Sequence, residues 1–236
     1  MIPNESLLDN PIWQALSTMH AAFNEGDERL KYFYPDISPF VAMADWQEAD
    51  QFYLAKHLPA DRGFFYIIRD KIKLPGSCKK VFTIPLWQMV MQQPVPYPAK
   101  NFTIRALGHE NIPAMIELTA LTKPGPFSQR TIGFGNYIGI FEEERLVAMA
   151  GERLKLPGYT EVSAICTHPD ATGKGYAAAL LSAACSRILE KGQTPFLHVR
   201  NDNTRAIQLY EKAGFRIRCE MDFAIFRKNN TLLPVQ

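Results

Sequence analysis

Residues 172–177 read Thr-Gly-Lys-Gly-Tyr-Ala; they follow the apolar stretch VSAICTHP and open a run of small residues. A strand that enters a helix through glycines leaves the first helical N–H groups pointing outward and unpaired, in the positive field of the helix dipole. That arrangement holds a phosphate or pyrophosphate. Gly173 and Gly175 let the backbone bend tightly and come close to such a ligand. Two other nucleotide loops can be tested against the same residues. A Walker loop needs four residues between its first glycine and a Gly-Lys-Ser/Thr end, which Gly173-Lys174-Gly175 does not supply. A dinucleotide loop expects Gly-x-Gly-x-x-Gly with an acid closing the next strand, whereas Ala177 and Ala178 follow Gly175, and the next strand, FLHVR, ends in Arg200.

Further on, Asn203, Ala206, Leu209, Tyr210, Gly214 and Phe215 fall on the pattern Asn-x-x-Ala-x-x-Leu-Tyr-x-x-x-Gly-Phe. Together with the loop, this resembles the GNAT superfamily of N-acetyltransferases. The acyl-CoA motif of that family, Gln/Arg-x-x-Gly-x-Gly/Ala after a central strand, is matched by Thr172, Gly175 and Ala177, with Thr172 standing where Gln or Arg is usual. The resemblance covers residues 102–228 and is greatest to the branch that includes glycine N-acyltransferase-like proteins.

Acyl transfer from a thioester to an amine needs a held donor, a deprotonated amine, oxyanion stabilisation and a proton or hydrogen bond for the leaving thiolate. The resemblance assigns the donor, acetyl-CoA, to the amides of Gly173, Lys174, Gly175, Tyr176 and Ala177, with Thr172, Asn203 and Ala206 alongside. Its pantetheine arm is expected along Ile165, Cys166 and Thr167, where the family's central strand splays. Tyr210 falls where the family's tyrosine meets the thioester sulfur. A phenol of pKa about 10 can at least donate a hydrogen bond to a thiolate. Glu161 falls where histone-type members carry a general base, and burial in a strand is expected to raise its pKa toward that task. Glu152 is the rival base, and many family members use an ordered water instead.

Other residues have plainer readings. His198, mid-strand in LHVR, reads as a hydrogen-bonded structural histidine and His168 as a solvent-facing one. Cys166-x-His168 could pair a thiol with a base, although the backbone there suits the pantetheine track better. Lys174, Arg200 and Arg205 could meet the phosphates of coenzyme A or simply be solvated. Arg130 and Thr131, after the stiff loop Lys123-Pro124-Gly125-Pro126-Phe127, are expected to border the acceptor pocket.

The bulk numbers narrow the setting. A 47 % hydrophobic chain of 236 residues can bury a sizeable core. Its 26 basic and 24 acidic residues argue against a nucleic-acid binder. No apolar run is long enough for a membrane span, and MIPNESLLDN lacks a signal-peptide core. Cys78, Cys166, Cys185 and Cys219 form no CxxC pair and read as reduced thiols in a cytoplasmic protein, with no metal site.

The three prolines in Gln92–Pro98 favour an extended linker. They divide the chain into an N-terminal α/β domain, 1–98, and a GNAT-like catalytic domain, 99–236, which on size alone could fold independently. In the first, Asn10-Pro11 and Asp45 look like helix starts, and Phe40–Ala44, Phe64–Ile68 and Val81–Ile84 read as strands. The resemblance allows this half to be a degenerate copy of the second. Its aromatics imply a packed unit that docks and helps wall the acceptor cleft. In the second, strands begin at Phe102, Tyr137, Leu146, Glu161, Pro195 and Phe215, and helices at Glu110, after the loop, and at Thr204. That order implies an α/β fold with a mixed sheet. The reading is an acetyl-CoA-dependent N-acetyltransferase acting on a small-molecule or peptide amine by direct attack in a ternary complex. Its rivals are a non-catalytic acyl-CoA-binding module and a nucleotide-binding oxidoreductase.

Overall fold

The computed structural model describes residues 4–95 and 102–229. Pro96, Tyr97 and Pro98, and with them the expected boundary between Pro98 and Ala99, lie outside the described residues. Among the described residues there are five α-helices and ten strands, the strands in the order β1 (Leu30–Tyr32), β2 (Val41–Met43), β3 (Gly63–Ile68), β4 (Cys78–Met91), β5 (Ile104–Leu107), β6 (Tyr137–Glu142), β7 (Arg145–Leu156), β8 (Tyr159–Thr167), β9 (Thr194–Arg200) and β10 (Phe215–Lys228). Helix α1 (Pro11–Ser17) precedes β1 and α2 (Glu48–His57) precedes β3. Helix α3 (Ile112–Thr122) precedes β6, α4 (Tyr176–Glu190) follows β8, and α5 (Thr204–Lys212) follows β9.

Eight strands form one mixed sheet in the order β3-β10-β4-β9-β8-β7-β6-β5, and β1 and β2 form a two-stranded ribbon. The β8–β9 pair is parallel and its neighbours are antiparallel. Strand β4 lies between β9 and β10 and is hydrogen-bonded to both. Residues before the proline-rich segment thus complete the sheet of those after it, and the second half is not a self-contained sheet. The short run Val81–Ile84 understated this strand because Lys79, Lys80 and Pro85 break its apolar pattern. Pro85 sits one residue before pairing with β9 begins at Leu86↔Arg200, where a missing donor interrupts little.

Helix α4 presents Leu180, Leu181, Ala184, Cys185 and Ile188 to one face of the sheet, against Ile138, Ala148, Leu197 and Val199. Alternation along β9 sends Phe196 to the opposite face, where α1 covers it with Ile12 and Leu16 among Phe40, Ile67 and Leu86. Pro11 is the first residue of α1, as its fixed φ favours. Asn10 stands at the cap, but its side-chain amide donates to Met43 O at 2.7 Å and not into the helix. Helix α2 starts later than Asp45 suggested, at Glu48, with Gln47 before it.

Candidate active site

Strands β8 and β9 pair only at Tyr159↔Thr194, Thr160↔Pro195 and Glu161↔Phe196. Beyond these positions β8 stays with β7 and β9 stays with β4, so the two diverge and their facing amides lose their ladder partners. A bulge sharpens the divergence: the register with β7 slips between Gly151↔Ser163 and Met149↔Cys166, and Ala164 takes φ 52°. A non-glycine residue in that region costs about 1–2 kcal/mol, and such strain persists where surrounding structure over-determines it.

The wedge is a cleft of about 1060 Å³. This matches the upper range of small-ligand sites, roughly 300–1,000 Å³, and leaves room for two reactants. Ile165, Cys166, Thr167, Thr172, Gly173, Gly175, Tyr176, Ala177, Asn203, Ala206 and Tyr210 all line it. Gly173 (φ 81°) and Gly175 (φ 97°) carry the loop into α4 through conformations that favour glycine. A Cβ on Gly173 would meet nothing within 4 Å, so the backbone there is open to a ligand. The amides of Tyr176, Ala177 and Ala178 begin the helix and have no intrahelical acceptor. The exposed Thr172 hydroxyl is used within the loop, donating to Pro169 O at 3.0 Å. Asn203 caps α5, its Oδ1 accepting from Ala206 N at 3.2 Å. Arg205 and Lys212 add positive charge to the lining, as does Arg200, which is also paired with Asp202 at 2.7 Å.

Tyr210 projects from α5 and packs edge-on against Phe215. Burial, with a smaller contribution from Cys185, pushes its hydroxyl up to about 12. At neutral pH it is therefore a hydrogen-bond donor, not a phenolate. Burial likewise raises Cys166 to about 11, against weaker lowering by hydrogen bonds from Thr122 and Met149. His168 does not activate it. The imidazole is mostly buried, its Nδ1 accepts from Asp170 N at 3.2 Å, and its Nε2 meets Arg145, so it is neither solvent-facing nor paired with the thiol.

Several expected site residues lie elsewhere. Lys174 does not line the cleft; its ammonium pairs with Glu142, which also accepts from the Tyr176 hydroxyl at 2.7 Å. Arg130 pairs with Asp36 at 3.1 Å, and the buried Thr131 hydroxyl donates to Ile37 O at 2.6 Å. Neither borders the cleft, although Pro124, Gly125 and Pro126 do.

Glu161 is the main correction. Its carboxylate is 0 % exposed and lies beneath the lining. Arg153 donates through Nε to Oε2 at 2.8 Å and through Nη2 to Oε1, and His198 Nδ1 donates to Oε1 at 2.7 Å. Burial alone would raise this carboxyl, as the sequence suggested. The charge and hydrogen bonds of Arg153, with His198, outweigh it and hold the group at about 2. A carboxylate so held and so enclosed does not collect a proton from an amine. Glu152 is no better placed: burial raises it, but Lys155 at 2.7 Å, Asn136 at 2.8 Å and Lys191 at 3.0 Å bring it to about 2.

The network continues through His198, whose Nε2 faces Gln88 Nε2 at 3.1 Å; the amide donates, which leaves the proton on Nδ1 for Glu161. Gln88 also donates to Leu8 O at 2.8 Å and accepts from Arg218 at 2.9 Å. The structural reading of His198 holds. Arg153 and His198, not Glu161, reach the cleft wall, and the Arg153 guanidinium stands 5.0 Å from the ring centre of Phe40. Sequence reasoning missed Arg153. The signal was an arginine inside LVAMAGERL, whose partner on the far arm of the hairpin is found by counting outward from Pro157-Gly158.

A central strand pair that splays beside a glycine loop at a helix start, with a tyrosine from the next helix in the same wedge, defines the acyltransferase class that the motifs suggested. Residues 137–224, from β6 into β10, match the family model described as FR47-like protein. A solved protein from Novosphingobium aromaticivorans, described as an acetyltransferase from the GNAT family, is 34 % identical. That match covers 94 % of this chain and 99 % of the other, with a TM-score of 0.87. The chain belongs to the GNAT family of acetyltransferases. A GCN5-related N-acetyltransferase from Kribbella flavida, 15 % identical, shares the fold over 92 % of this chain and 94 % of its own, with a TM-score of 0.62. No curated protein matches the sequence at a significant level.

Proposed function

We propose that the protein is an acetyl-CoA-dependent N-acetyltransferase in which an amine attacks the thioester directly, both reactants being bound together. The observation that carries this reading is the convergence of the splayed β8 amides, the glycine loop and Tyr210 on one cleft. In it, the amides from Gly173 to Ala177 hold the pyrophosphate, aided by Arg205 and Lys212, and the Ile165–Thr167 backbone holds the pantetheine and the thioester oxygen. The amine nitrogen forms its bond to the acetyl carbon as the carbon–sulfur bond breaks, and the leaving thiolate accepts a hydrogen bond from Tyr210. The lining contains no aspartate or glutamate among the described residues, so the amine's proton departs through water. Residues 99–236 carry the cofactor machinery, while 1–98 supply the wall opposite it. The resemblance over residues 102–228 suggests the glycine N-acyltransferase-like branch, and four free thiols suit a cytoplasmic setting.

The lack of a free carboxylate also favours a second reading, an acyl-CoA-binding module without turnover. Thiol release from acetyl-CoA in the presence of an amine panel separates the two. For the cofactor site, calorimetric titration of acetyl-CoA should show binding by the wild type and its loss in Gly175→Val, because a branched side chain is strained at φ 97° and intrudes on the ligand. Unchanged affinity in a folded variant overturns the proposal.

A further inference from the structure

On the sheet face away from α4, the cleft is walled by Phe40, Ile67, Ile84, Leu86 and Phe223. Four of these five come from residues before the proline-rich segment, and Ile84 and Phe223 are register partners on β4 and β10. The buried polar groups behind this wall are largely committed to one another. Arg153 spends Nε and Nη2 on Glu161, and both nitrogens of His198 are engaged. Apart from Arg205 and Lys212, assigned above to the pyrophosphate, and Arg200, paired with Asp202, the charged side chains of the lining are Lys123 and Arg153, both cationic, and none is anionic among the described residues.

We infer that the acceptor is a primary amine on an apolar body with no second positive charge, a deduction that rests on the acetyltransferase reading above. The apolar wall takes the body of such a molecule by removing its surface from water. A polyamine or a lysine-rich peptide would bring extra ammonium groups against a wall whose side chains offer no counter-charge and would lose their hydration there without compensation.

The test compares benzylamine and 3-methylbutylamine with spermidine and a lysine-rich peptide, following thiol release, with acetyl-CoA binding measured by calorimetry on the same protein. The apolar amines should exceed both cationic acceptors in kcat/KM by about 10-fold or more. Spermidine or the peptide turning over as well as the apolar amines overturns the inference. So does a protein that binds acetyl-CoA but acetylates neither apolar amine, although the cofactor site then stands. Failure to bind acetyl-CoA at all is instead the failure of the proposed function. Ile84→Glu, or Phe223→Glu should the first not fold, places a carboxylate in this wall and should narrow the gap in favour of spermidine. An unchanged gap in a variant that still binds acetyl-CoA counts against the assignment of this wall.

Discussion

At one end of the cleft the walls are backbone, made of the amides of β8 and the glycine loop contributed by one continuous stretch of chain. At the other end they are side chains, drawn from the segment before β2, from β3, β4 and β10, and backed by a buried polar chain running Arg153–Glu161–His198–Gln88–Arg218. The glycine loop of the first end is local grammar, a pair of glycine conformations and a helix start, although the splay of β8 beside it still needs β9 to be held by β4. The second exists only once distant strands have paired, so its chemistry belongs to the whole fold.

The widest break in that comparison is to remove the first half altogether. A fragment beginning at Lys100 loses β3 and β4, which leaves β9 with one open edge and β10 without a strand partner. It should be unfolded or aggregated by circular dichroism and size-exclusion chromatography. A folded, monomeric fragment that binds acetyl-CoA would show the glycine-loop end to be independent after all.

Within the folded protein, Glu161→Gln should be the costliest point change, destabilising by about 3–5 kcal/mol because Arg153 is left buried without its counter-charge. Urea denaturation measures this. The folded-state carboxyl is at about 2, below its ordinary 4.5, so its contribution is fully present above pH 4.5 and is lost as pH falls toward 2. The gap between wild type and variant should close over that window. If the variant retains activity, the acidic limb of its pH–rate profile should persist; loss of that limb would restore Glu161 as the base.

Tyr210→Phe removes one donor at the junction of the two ends. It should lower kcat about 10²-fold with acetyl-CoA affinity retained. A rate within twofold of wild type would leave Tyr210 a packing residue beside Phe215. The mildest change is Lys174→Ala. The ammonium is exposed and paired with Glu142 outside the cleft, so acetyl-CoA affinity should move by less than about 3-fold, since exposed ion pairs are worth little. A drop beyond that would mean that Lys174 swings to the phosphates when the cofactor binds.

What could be read from the sequence follows the same division. The mixed α/β order and the loop from Thr172 to Ala177 were legible because strand–turn–helix grammar is local. The tyrosine came with a spaced motif. Glu161 was found as a residue and misread as a base, since burial is visible in an apolar strand pattern but the arginine that outweighs it sits across a bulged hairpin. Arg130 and Thr131 were placed by proximity to a proline loop, and the fold took the proline loop to the cleft without them. The insertion of β4 between β9 and β10 left no local trace, because strand order is decided by pairing between segments far apart in the chain.

That insertion also sets a timetable. Met91 pairs with Phe215 and Cys78 with Lys228, and β9 begins only at Thr194, so β4 waits for both of its neighbours until long after it has itself been synthesised. Until then it is an unpaired edge with an apolar second half, the kind of surface that recruits other chains. Closing so long a loop is slow because its entropy is lost before any pairing repays it. Newly made protein therefore passes through a stage in which its central sheet is open on both sides of one strand, and chaperone supply or lowered temperature during expression should raise the soluble yield more than any change to the cleft.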